Sequence, residues 1–286
     1  MTVVRQTPLP RRVSGYVLLI IFAIIFIGPF LIQLATSFKT PDDAASNPLS
    51  LIPNPFSVEA WKQVLGITGI ANVDFPRWLG NTAFIAIVLT VGRVFLDSLA
   101  AYALARLQFP GRKLVFLLVI GTLAVPNVVL LIPRFLVIKE LGLYNSYGGM
   151  ILPIIADAGG IFIMRQFFLQ VPVALEEAAR IDGASTFRTY WSVVLPVVRP
   201  GLLTLTILSF QSSWNEFSFF LVANSDPNKY TLPVGLHQLT TGSLGSTPNF
   251  PLNMGAALLA TIPLAIIFFI FQRHFTGGQL SGGVKG

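Results

Sequence analysis

Hydrophobic residues come in long blocks along this chain, and the blocks set its organisation. Residues 16–34, 79–104, 114–137, 149–168, 200–222 and 254–271 are apolar over lengths suited to a bilayer core, which takes about 20 residues of helix. A segment in lipid finds no water for its backbone groups, so helices are the default. The pattern predicts an all-α polytopic membrane protein with six transmembrane helices. Its first run follows Arg5, Arg11 and Arg12, like the head of a signal peptide. The run is too long for one and lacks a clear A-x-A cleavage site, so it reads as an uncleaved first span. Residues 38–76 read as an extramembrane loop carrying a short helix near 58–65.

Between the fourth and fifth runs lies a polar island, residues 172–196, PVALEEAARIDGASTFRTYWSVVLP. Pro172 suits the first turn of a helix, where its missing N–H costs nothing. Glu176 and Arg180, four apart, are placed to pair on the solvent side. Ala178 and Ala179 leave a smooth patch that another surface can approach. Asp182-Gly183 supplies a helix stop, with Gly183 able to take the left-handed conformation. Ser185 is placed to cap a second short helix, expected to end by Leu195 because Pro196 disfavours α geometry in the residue before it. The shape expected is helix, tight turn, helix.

Composition agrees with the pattern. Of 286 residues, 53% are hydrophobic and 11% charged, whereas a soluble domain carries about 25% charged residues. The net charge of +7 does not call for nucleic acid, because the basic residues gather at span ends. One side would hold Arg5, Arg11, Arg12, Arg106, Arg112, Lys113, Arg165, Arg180, Arg188, Arg199, Arg273 and Lys285. The other would hold Lys39, Lys62, Arg77, Arg134, Lys139 and Lys229. The excess places both termini and the island in the cytoplasm. The chain contains no cysteine, so neither disulfides nor thiolate metal sites arise. No metal-ligand spacing and no glycine-rich phosphate loop is visible, so the chain shows no means of hydrolysing ATP and no cofactor of its own.

Several polar residues fall inside the apolar runs. Gln211, Ser212, Ser213, Trp214, Asn215 and Glu216 follow one another in the fifth. Hydrogen-bonding side chains beside an aromatic face suit a sugar, making Gln211, Ser213, Trp214, Asn215 and Glu216 candidate pathway residues. The alternative is that they bind neighbouring helices together. Arg93 and Asp97, one turn apart in the second run, are expected to neutralise each other. Asp157 with Gly159 and Gly160 interrupts the fourth run, with the glycines expected to serve close packing. Pro126-Asn127 and Pro133 are expected to kink the third.

The island carries a family resemblance. Glu177-Ala178-Ala179, three residues, Gly183, nine residues, Val193, one residue and Leu195-Pro196 resemble the EAA loop of ABC-importer permeases, which have Ile where Val193 stands. Phe167-Phe168, Val171-Pro172, Trp214-Asn215-Glu216-Phe217, Thr231-Leu232-Pro233-Val234-Gly235-Leu236 and the glycine-rich end are similar to the carbohydrate-uptake branch, the type of the maltose transporter's G subunit. The resemblance implies a transmembrane permease domain over residues 15–272 and cytoplasmic tails at 1–14 and 273–286. It makes residues 170–198 a coupling helix–turn–helix between spans four and five. Glu177, Ala178, Ala179, Asp182, Gly183, Leu195 and Pro196 would meet an ATPase, and Gly282, Gly283 and Lys285 of the tail would touch it too.

The partners implied are a second permease subunit, two ATP-binding subunits that hold ATP and Mg, and an extracytoplasmic solute-binding protein met by residues 38–76 and 223–253. The chain would be a plasma (inner) membrane transport subunit, not an enzyme, moving a mono- or oligosaccharide inward. Another polar cargo (a polyol, a glycerol phosphate or a peptide) stays open. A stand-alone secondary transporter is the more distant rival, lacking an evident inverted repeat.

Overall fold

The computed structural model describes residues 9–68, 74–241 and 249–280. Among these all regular secondary structure is helical, without strands. In order, the helices are α1 (Leu9–Thr36), α2 (Pro41–Ser46), α3 (Glu59–Val64), α4 (Phe75–Arg106), α5 (Arg112–Leu123), α6 (Leu131–Glu140), α7 (Tyr147–Ile151) and α8 (Ala158–Gln170). There follow α9 (Val173–Ile181), α10 (Thr186–Arg188), α11 (Leu195–Val197), α12 (Arg199–Trp214), α13 (Ser218–Ala223), α14 (Leu232–Thr240) and α15 (Phe250–Leu280). Three stretches are long and apolar enough to cross a membrane unaided: Gly15–Thr36, Phe75–Arg106 and Phe250–Ile270. Three bent pairs raise the number to six if each counts as one span.

The chain forms two compact units, Met1–Phe75 with Gln238–Thr261 and Pro76–His237 with Ile262–Gly286. In the first, the loop after α1 is a small folded cap. Thr40 caps α2, and the buried Lys39 donates from Nζ to the Asn47 carbonyl at 2.6 Å. Asp43 accepts from the Asn54 N–H at 2.9 Å and from Asn47 Nδ2 at 3.0 Å. These bonds favour its ionised form and hold its carboxyl below the ordinary range. Phe38 stacks between Phe56 and Trp61, with ring centroids 5.2 and 5.8 Å away. The short helix expected near 58–65 is α3.

The second unit is built around α4, and its spans are not straight. The third run breaks by 99° between Arg112–Leu123 and Asn127–Glu140. The break falls at Pro126, whereas Pro133 lies in the first turn of α6, where its missing N–H costs nothing. The fourth breaks by 43° between Tyr147–Ile154 and Ala158–Gln170, and Asp157 caps the second half through its Oδ2, which accepts the Gly160 N–H at 3.0 Å. The fifth run, expected as one continuous helix, stops at Trp214 and restarts at Ser218. Its interruption has a local cause. The Asn215 N–H still closes on the Gln211 carbonyl at 3.2 Å, where its Nδ2 also donates at 3.0 Å, and Glu216 Oε1 accepts the Phe219 N–H at 2.8 Å, so side chains end one helix and start the next.

Arg93 and Asp97 explain how the fourth run tolerates its break. The ion pair expected between them is replaced by two bonds to the break itself. Arg93 Nε donates to the Ile154 carbonyl at 2.9 Å, and Asp97 Oδ1 accepts the Asp157 N–H at 3.0 Å. A cation meets the carbonyl end of one half-helix and an anion the amide end of the other, as the helix dipoles favour. Gly160 lets α8 come this close. A Cβ there would collide with Asp97 Oδ2 and lie 2.8 Å from Leu205 Cδ1, so the expected role in close packing is what the geometry shows.

Gly160→Ala should therefore cost about 1–3 kcal/mol by overpacking a site whose carboxylate is held in place. It should lower the melting temperature of the detergent-purified protein by several degrees. Gly121→Ala, with no atom near its Cβ, should leave it unchanged or raised. Equal behaviour of the two variants would sink this account of the crossing.

Candidate functional site

The polar island folds as a helix–turn–helix. Pro172 is the residue before α9 rather than in its first turn, with ψ of 131°. Glu176 does not pair with Arg180 on the solvent side. It is 3% exposed and points inward, where its Oε1 lies 3.0 Å from Arg106 Nε as an ion pair and its Oε2 accepts the Tyr102 hydroxyl at 3.2 Å. Arg106 also donates through Nη2 to the Val171 carbonyl. The reason is register: positions 176 and 179 share the face of α9 that packs against the helices, while Glu177, Ala178 and Arg180 face out. Ala179 is buried, so of the two alanines only Ala178 belongs to the outer surface.

The turn follows the sequence closely. Gly183 has φ of +77°, and the Asp182, Gly183 and Ala184 N–H groups close back on Ala178, Arg180 and Ala179 carbonyls at 3.0, 3.0 and 2.9 Å. Ser185 Oγ accepts the Arg188 N–H at 3.3 Å. The second helix does not end by Leu195. Thr189–Val194 is a π-helical stretch, and the Leu195 N–H reaches the Tyr190 carbonyl, five residues back. The widened turn removes the steric conflict that Pro196 would create in an α-helix, so helical geometry continues through Val197. Leu195 packs partly against the core and Pro196 is exposed.

Tyr190 anchors this second helix. It is buried beside Tyr102 and Phe168, with its hydroxyl 2.8 Å from Ser98 Oγ. The outer side of the island exposes Ile181, at 86%, together with Phe187 and Trp191, whose rings stack 6.2 Å apart. Large apolar groups on a polar connector are the mark of a contact surface. These three were not singled out in the sequence; the i, i+4 spacing of Phe187 and Trp191 was the signal. Gly282, Gly283 and Lys285 lie outside the described residues.

A second feature is a cavity of about 680 Å³ lined by residues of α4, α6, α8, α12 and α13, among them Arg93, Asn127, Arg134, Asp157, Gln211, Ser212, Asn215, Glu216 and Phe219. Its size is that of small-molecule sites. Of the candidate pathway residues, Gln211, Asn215 and Glu216 line it. Ser213 and Trp214 do not. Ser213 is buried and accepts from Arg93 Nη1 at 3.4 Å, and Trp214 is 3% exposed with its ring stacked on Phe210 at 5.4 Å. One helical turn cannot present six successive side chains to one space, so the run divides between cavity and packing. Arg93 also donates to Ser212 Oγ at 2.7 Å, which ties the break in the fourth run to the cavity wall. Among the described residues no group of three or more His, Cys, Asp or Glu is placed to hold a metal.

Comparison with known proteins gives a consistent picture. The family of binding-protein-dependent transport system inner membrane components matches residues 97–278. The chain is 34% identical to the arabinooligosaccharides transport system permease protein AraQ of Halalkalibacterium halodurans over 92% of this chain and 93% of that one. It is 31% identical to the sn-glycerol-3-phosphate transport system permease protein UgpE of Brucella abortus, over 96% and 98%. It is 32% identical to the polygalacturonan/rhamnogalacturonan transport system permease protein YtcP of Bacillus subtilis, over 95% and 96%. Its fold is similar to a chain in the crystal structure of a bacterial ABC transporter involved in the import of the acidic polysaccharide alginate, with a TM-score of 0.79, 25% identity and 94% and 99% coverage.

The two adjacent glutamates of the island should behave oppositely. Glu176→Ala leaves the Arg106 charge buried without its partner and should cost about 3–5 kcal/mol. Glu177→Ala, on the exposed face, should stay within about 0.5 kcal/mol. Thermal unfolding of the two purified variants distinguishes them, and a Glu177 variant less stable than the Glu176 variant would reverse the assignment of faces.

Proposed function

The chain belongs to the family of binding-protein-dependent transport system inner membrane components, and from that premise we propose that it is a permease subunit of an ABC importer that moves a sugar inward. The observation that carries the coupling role is the island itself. It offers an exposed apolar face to a partner while its buried face is fastened to α4 and α8 through Glu176 and Tyr190. Ala178 and Gly183, with little or no side chain, let that partner come close. Glu177 and Asp182 supply charge at the rim of the contact.

The mechanism follows from how firmly the island is held. Tyr102, Arg106, Phe168 and Tyr190 join it to helices that also carry Arg93 and the cavity wall. A displacement of the island, imposed when ATP-binding subunits close, is transmitted as rigid-body motion rather than absorbed. The cavity then changes the side from which it is reached. ATP and Mg belong to those partner subunits, and this chain contributes no bond-breaking group. A second permease subunit would complete the pathway, and a solute-binding protein would deliver the cargo to the side opposite the island. The excess of basic residues on the side of the island supports a cytoplasmic placement for it and for both termini. Sugar as the cargo rests on the relatives of arabinooligosaccharide and polygalacturonan transport; a polyol phosphate, as in the glycerol-3-phosphate relative, is the second reading.

Co-expression with neighbouring transporter genes tests this. The wild type should bring down an ATPase and support ATP-dependent uptake in vesicles. Glu177→Lys should insert and fold normally yet lose uptake by tenfold or more, about 1.4 kcal/mol or greater at the contact. Gly183→Asp, strained at φ of +77°, should lose uptake at least as far, and its thermal unfolding separates the strain of the turn from the loss of contact. Uptake that proceeds without ATP, from the chain purified alone, would replace the importer reading with a secondary transporter.

A further inference from the structure

Four formally charged side chains line the cavity: Arg93, Arg134, Asp157 and Glu216. Three are already committed to the fold. Arg93 donates to the Ile154 carbonyl and to Ser212. Asp157 accepts the Gly160 N–H at the start of α8, and Glu216 accepts the Phe219 N–H at the start of α13. Each carboxylate thus sits at a helix N-terminus, where the backbone dipole offsets part of its charge.

Arg134 is different. Its guanidinium carbon lies 5.8 Å from the centroid of the Phe219 ring, and among the described residues it has neither a hydrogen bond nor an ion pair. A contact of this length with a ring engages the charge and leaves the five N–H donors of the guanidinium available. Beside it, Asn127 and Gln211 bring amides to the same space, and amides suit hydroxyl groups of either donor or acceptor sense.

We infer that the cargo carries an acidic group, carboxylate or phosphate, on a hydroxyl-rich body, and that Arg134 binds that group. Planar guanidinium recognises both anions through paired N–H···O bonds. The inference rests on reading this cavity as the transport pathway.

The test uses the complete transporter, with its partner subunits and binding protein, in proteoliposomes. Uptake is measured for digalacturonate against digalactose, and for glycerol 3-phosphate against glycerol. The wild type should favour one acidic probe over its neutral counterpart by tenfold or more, about 1.4 kcal/mol, and the pair that shows the preference identifies uronate or phosphate as its source. Arg134→Gln should lower uptake of the acidic probe by tenfold or more, about 1.4 kcal/mol, and that of its neutral counterpart by less, so that the preference is abolished, while Arg134→Lys should keep part of it.

ATP-dependent uptake without acid preference, or an equal fall for both probes in Arg134→Gln, overturns the inference and leaves the importer reading standing. So does uptake of none of the four probes. Loss of the second permease subunit from the Arg134→Gln complex on size-exclusion chromatography overturns it as well, assigning Arg134 to a carboxylate of that subunit. Uptake independent of ATP defeats the importer reading and this one together.

Discussion

A backbone interrupted within an apolar run must have its N–H and C=O groups met by protein, because lipid offers them nothing. That requirement governs the second unit. The fourth run breaks between Ile154 and Asp157, and α4 answers with one cation and one anion a turn apart, Arg93 on the carbonyl and Asp97 on the amide. Replacing either by an apolar residue would leave a buried polar group without a partner, at about 1–3 kcal/mol or more. Because Arg93 reaches the serines of α12 with its other nitrogen, the same side chain that permits the break also shapes the cavity beside it.

Much of this was legible beforehand, for reasons specific to each feature. The apolar blocks announced the helices because length and composition alone decide what lipid accepts. Gly183 after Asp182, and Ser185 after it, announced the turn, since those residue types carry their backbone preferences with them. Pro126 and Asp157 marked real breaks. What stayed hidden depended on rotation about a helix axis within crowded surroundings. Glu176 and Arg180 have an ideal spacing for a surface pair, yet Tyr102 and Arg106 on a distant segment draw Glu176 inward. Arg93 and Asp97 have the same spacing, and a distant break in the chain claims both. Trp214 carries the aromatic face a sugar would use, but Phe210 covers it.

The island shows how neighbouring residues of one type take opposite duties. Glu176 and Glu177 are about 100° apart around α9, enough to send one to a buried arginine and the other to solvent. The inner residue fixes the island to its helices; the outer one faces away from them. A connector held only by its ends would flex under load, whereas this one has a buried ion pair in its first helix and a buried tyrosine in its second.

The π-helical stretch at Thr189–Val194 has a further meaning for lineage. Such a stretch is an α-helix carrying one surplus residue, and that surplus rotates everything upstream relative to everything downstream. Here it keeps Phe187 and Trp191 outside while Tyr190, Val194 and Val198 stay in the core. Deleting one residue would keep composition and helicity nearly intact yet swing the exposed aromatic pair towards the interior. The length of the island between Gly183 and Pro196 is therefore a constraint as strict as the identity of its residues: a substitution changes one side chain in place, whereas an insertion or deletion turns every residue on one side of it.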